Sequence, residues 1–210
     1  MDPLRKRLLK EDKWSRIYET EREFVFYESK FQADGLSISV GELTSEWQSW
    51  SASERLCFAQ AFNRKPEIRK EDEEVLEFLM RNEDEQIWAS ITIALPKHSN
   101  KKMILNFLLE RLASGSEAKA NSVHALGILG DPTAVPALRE LHARLSLEIK
   151  AAGETEDPGP ITELISCCQA LVRLESSKDH EREIESFLTH SDKRVRGWAE
   201  YLLLELRGQI

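Results

Sequence analysis

Histidines, cysteines and dense groups of carboxylates are the side chains through which this 210-residue chain could do chemistry. The five histidines are His98, His124, His142, His180 and His190. None has a partner at the HExxH spacing that places two imidazoles and a base on one helix face, and His180-Glu181 is a lone His-Glu pair. The three cysteines, Cys57, Cys167 and Cys168, contain no CxxC pair and give no disulfide framework. Each sits in an apolar run, where a small core thiol is the ordinary reading. Acidic residues gather at Glu71, Asp72, Glu73, Glu74 and Glu77, and again at Glu83, Asp84 and Glu85. They read as solvated first turns opposing a helix dipole, with an acidic patch for a basic partner as the sharper alternative. Nucleophile elbow, P-loop and dinucleotide-binding glycine patterns are all absent from the sequence. The residues therefore assign no catalytic group, no cofactor-binding group and no metal ligand, and a protein without cofactors is expected.

What remains is a chain built to bury a core and present a surface. At 41% hydrophobic and 31% charged, it has apolar residues enough for one domain or one short array and too many for global disorder. Lysine and arginine number 29 against 37 acids, a net charge of −8 that repels phosphate backbones. The basic groups, Arg5–Arg16 and Lys193–Arg196, are small, and nucleic acid is a disfavoured partner. No run approaches the roughly 20 apolar residues a membrane span requires, and the N-terminal stretch lacks a secretory apolar core. A cytoplasmic protein without membrane contact is expected.

The elements that position these residues are clearest at 116–145, SEAKANSVHALGILGDPTAVPALRELHARL. Val123, Ala125, Leu126 and Leu129 fall at helical spacing. Gly130 can adopt the left-handed conformation that stops a helix. Asp131 then caps a second helix with Pro132 at its first position, and Leu138, Leu141 and Leu145 form its apolar face. Such a helix pair cannot bury its faces alone, so neighbours of the same kind are implied.

The order ALG, LGD-P, AVPAL in this stretch resembles a HEAT-type repeat of the variant found in bilin-lyase-like proteins. The resemblance implies an all-α fold: a short right-handed α-solenoid of HEAT-like helix pairs with a non-repeat N-terminal cap. Using that pair as a ruler places units near 51–81, 82–113, 114–150 and 158–190 and a terminal helix at 191–208 within a 51–210 repeat domain. In the second unit Pro96 replaces the family's glycine, and the first helix would run over 84–95. Residues 151–160 read as a longer surface loop. Residues 1–50 form the cap, with a β-hairpin over 23–40 or, alternatively, one helix through Lys30. An iron-binding family of the same repeat class uses several His-Glu pairs, one per repeat; the single pair here does not support that function.

Solenoids of this kind use their second helices as a curved contact face. On those helices Glu73, Glu77, Lys101, Asn106, Arg139 and His142 are the candidate partner-binding residues. Trp88 joins them because it occupies a position filled by Lys119 and Arg196 in sister units, although packing against a neighbouring helix is its plainer explanation. Trp47 and Trp50, three apart, suit an apolar seam. The expected function is a non-enzymatic protein-interaction or scaffold module. The alternatives are an acidic inhibitor or immunity-type protein for a basic partner, and a bilin-lyase-like or DNA-glycosylase-like enzyme. The oligomeric state is not legible.

Overall fold

The computed structural model describes residues 39–63, 65, 67–82, 84–114, 119–152 and 157–209. Over these residues the chain is all-α, with ten helices in succession and no strand. They are α1 (Val40–Glu46), α2 (Ala52–Asn63), α3 (Lys70–Met80), α4 (Glu85–Ala89), α5 (Lys101–Ala113), α6 (Lys119–Leu129), α7 (Val135–Ala152), α8 (Gly159–Glu175), α9 (Lys178–Ser186) and α10 (Lys193–Leu206). Short 3-10 turns occupy Leu95–Lys97, Pro132–Ala134 and Phe187–Thr189. None of the helices is long and apolar enough to cross a membrane.

Local chemistry sets most helix starts. Free N–H groups in the first turn need acceptors, and short polar side chains supply them. Asp84 accepts from the Gln86 N–H at 2.9 Å, Asn100 from Met103 at 3.1 Å, and Asp192 from Arg194 at 2.7 Å. Ser51 and Glu54 exchange reciprocal bonds before α2, the Ser51 N–H donating at 2.9 Å and its hydroxyl accepting at 3.2 Å. Gly130 has φ +74°, and Asp131 accepts from the Thr133 N–H at 2.9 Å, as the sequence of that turn predicts.

Three expectations change. The first helix of the second unit is cut short: α4 ends at Ala89 and a run of turns leads to the 3-10 turn at Leu95. Two physical causes act there. The Asn63 side-chain carbonyl accepts the Ile93 N–H at 2.8 Å and, shared with the Ile91 carbonyl, the Ala94 N–H at 2.9 Å. Pro96 has no N–H to continue an α-helical ladder and sits instead in the 3-10 turn. The loop read over 151–160 is shorter, since α7 runs to Ala152 and α8 begins at Gly159. Val40, read as the end of a hairpin strand, instead opens α1 behind a Ser39–Glu42 capping box. The rest of the hairpin, residues 23–38, lies outside the described residues.

α8 is the centre of the C-terminal half. It packs on α6, α7, α9 and α10, and its buried face includes Leu164, Ile165, Cys167, Cys168, Ala170 and Leu171. Gly127 on α6 makes close approach to α8 possible, because a Cβ there would stand 3.1 Å from Ala170 Cα. In the N-terminal half α5 packs on α6, α2 on α4, and α1 on α3. Trp47 and Trp50 do form a seam: Trp47 is 3% exposed and meets Phe78 edge-on at 5.3 Å.

Candidate functional site

Among the described residues, two places combine polar side chains with a groove or a point of convergence. The first is a groove across α1, α3 and α5. A cavity of about 800 Å³ is lined by Trp47, Phe78, Arg55, Glu74 and Asp84 among others. A second, of about 480 Å³, is lined by Met103, Phe107, Lys102, Asn106 and Glu110 among others. Glu77 and Arg81 line both, and their 2.6 Å ion pair bridges one turn of α3 where the cavities meet. The helical period explains the mix: Val75, Leu76 and Leu79 turn into the core, while Glu74, Glu77, Phe78 and Arg81 turn to the groove.

Behind the groove lies His98, only 2% exposed. Its Nδ1 accepts the Asn100 N–H at 2.9 Å, which leaves the neutral ring's proton on Nε2. Glu77 Oε1 stands 3.6 Å from that nitrogen and Glu73 Oε1 3.7 Å from Nδ1. Glu73 also accepts the Ser99 N–H at 2.6 Å, and hydrogen bonding from Ser99 holds its carboxyl below the usual range.

The second place is where α7, α8 and α9 meet. Here His142, Cys168, His180 and Glu183 each present a donor atom, all within 4.8 Å of one another. His142 Nε2 and Glu183 Oε2 are 2.8 Å apart, and His180 Nδ1 lies 3.5 Å from the same oxygen. The two imidazole rings meet edge-on at 4.9 Å between centroids. The bond from His142 holds the Glu183 carboxyl below its usual range, against the burial that would raise it. Burial, reinforced by the Glu183 charge, pushes the Cys168 thiol far up. Cys167 faces elsewhere: its thiol donates to the Leu138 carbonyl at 3.1 Å, and burial pushes it up to about 12.

The sequence candidates thus separate. Glu77 and Asn106 line the groove and Glu73 stands beside it against His98. Lys101 opens α5 and its ammonium donates to the Pro96 carbonyl. Arg139, exposed on α7, pairs with Glu175 at 2.7 Å. His142 belongs to the second cluster. Trp88 is not a surface residue: it is 0% exposed, edge-on to Phe107 at 5.8 Å with the Arg111 guanidinium 5.5 Å above it. It is a packed core residue and offers no surface for recognition.

Cys168, His180 and Glu183 were missed as a set. The sequence reading paired His180 with Glu181, but Glu181 turns to Arg207 at 3.2 Å. The available signal was the i, i+3 spacing of His180 and Glu183, which shares a helix face, with a histidine on the second helix of the preceding unit. No protein-family model, curated protein or solved structure matches the chain.

Proposed function

We propose that the chain is a short HEAT-like α-solenoid acting as a non-enzymatic protein-interaction module, and that it holds an amphipathic segment of a partner protein in the groove across α1, α3 and α5. Side-chain bonds that reach about one unit along the chain support the repeat reading. Asn63 bonds to Ile93 and Ala94, Lys97 to the Lys65 carbonyl at 2.6 Å, Asn121 to the Ala89 carbonyl at 3.0 Å, and Trp198 to Ser166 at 3.1 Å. Each ties one helix pair to the next, as nearest-neighbour stacking in a solenoid requires.

The groove is the observation that carries the interaction reading. Aromatic and thioether side chains line it together with charges of both signs, a mix that seats apolar anchors and fixes their register. The experiment is a comparison of Asn106→Trp with the wild-type full chain. Asn106 is exposed, so the variant should melt as the wild type does while its indole fills the groove. Partners captured by the wild type should bind it at least about tenfold more weakly, roughly 1.4 kcal/mol. An undiminished affinity for every captured partner would remove the groove from the function.

The net charge of −8 favours a second reading, an acidic inhibitor for a basic partner. It predicts binding that falls steeply with salt. The mixed lining, with Arg55, Arg81 and Lys102 beside Glu74, Glu77 and Glu110, supports the first reading instead.

A further inference from the structure

We propose that His142, Cys168, His180 and Glu183 form a zinc site, a closed four-ligand centre that ties α9 to α7 and α8. The donor set comes first. Two imidazoles, a thiolate and a carboxylate suit zinc(II), which accepts nitrogen, sulfur and oxygen donors, whereas magnesium and calcium require oxygen. Charge comes second. One thiolate and one carboxylate neutralise a divalent ion, so the half-buried centre carries no net charge.

Geometry agrees. Tetrahedral bonds of about 2.0–2.3 Å place donor atoms roughly 3.3–3.7 Å apart. The contact at 3.5 Å already has that spacing, while the one at 2.8 Å opens slightly and the widest separation of 4.8 Å closes by side-chain rotation. His180 and Glu183 are held one turn apart on α9, and Cys168 lies mid-way along the rigid, buried α8. His180 Nδ1 is buried with no hydrogen-bond partner among the described residues, a cost that a metal bond would remove. The His142, His180 and Glu183 side chains keep 21%, 19% and 31% of their surface, which leaves an entry path.

On binding, the Cys168 thiol proton leaves to solvent as the sulfur becomes a thiolate ligand. The His142 proton moves from Nε2 to Nδ1, freeing the nitrogen that faces Glu183. The benefit to the fold is specific. Ile184 is the one side chain of α9 that is fully buried, a small apolar anchor for a helix of nine residues. A metal bond to two of its residues supplies the attachment that apolar contact alone does not.

The test uses the full chain stripped with chelator and titrated with zinc(II), then with cobalt(II) as a spectroscopic probe. One zinc ion should bind per chain and raise the unfolding midpoint. The cobalt form should show tetrahedral d–d bands and a thiolate-to-metal charge-transfer band. Cys168→Ser should abolish the charge-transfer band, and Cys167→Ser should keep it. His180→Ala, at a partly exposed position, should weaken zinc by more than the roughly 100-fold that loss of an outer hydrogen-bond partner can cost. Absence of stoichiometric binding, or zinc affinity unchanged in His180→Ala, overturns the proposal. If Cys168→Ser fails to fold, the His180→Ala titration alone decides.

Discussion

Replacing Trp88 with alanine should unfold the chain more readily without touching any recognition surface. The ring is wholly buried between Phe107 and Arg111. Truncating a buried tryptophan costs about 3–5 kcal/mol in lost transfer energy and residual cavity. One term opposes this. The indole N–H has no acceptor among the described residues, and removing a buried unpaired donor recovers about 1–2 kcal/mol. The net loss is therefore about 1–4 kcal/mol, which lowers the melting midpoint of a domain this size by roughly 2–16 °C. Trp88→Phe separates the two terms. It keeps an aromatic edge against Phe107 and deletes the unpaired N–H, so it should stay within about 1 kcal/mol of the wild type. Urea titrations followed by far-ultraviolet circular dichroism measure both variants. An alanine variant within about 0.5 kcal/mol of the wild type would behave like a surface substitution and refute the buried placement.

Gly127→Leu should destabilise by about 1–3 kcal/mol, because the new side chain meets the α8 backbone at Ala170; equal stability in a urea titration would mean the helices are not in close approach. Asp192 gives a pH signature. Hydrogen bonds from Arg194 hold its carboxyl down at about 2, from an ordinary value of 3.8, so its contribution is present above 3.8 and is lost as pH falls toward 2. Melting midpoints across that window should fall less steeply in Asp192→Asn than in the wild type, and parallel curves would count against the pair.

Glu205 shows how buried polar groups were settled by packing alone. Burial would raise its carboxyl, but Arg173 at 2.7 Å and Gln169 at 2.6 Å more than offset that and hold it low. Gln169 is 1% exposed, and its amide nitrogen bonds Glu205 while His124 Nδ1 lies 3.4 Å from its carbonyl oxygen. Residues this far apart in sequence meet only when α6, α8 and α10 pack side by side.

The sequence by itself determined what depends on a few neighbouring residues. Asn100, Ser177 and Asp192 each cap a helix within three residues, Gly130 supplies the one left-handed turn its helix end needs, and apolar spacing marks the faces that must be covered. Tertiary structure decided the rest. Trp88 could have faced solvent or core by its sequence position, and it is packing against Phe107 of α5 that buries it completely. His142 and Glu183 stand 41 positions apart and meet at 2.8 Å because α7 and α9 both pack on α8. Helical spacing gives the direction of a side chain relative to its own axis. Where axes lie relative to one another, and so which donors converge, is set by interlocking of side chains between helices.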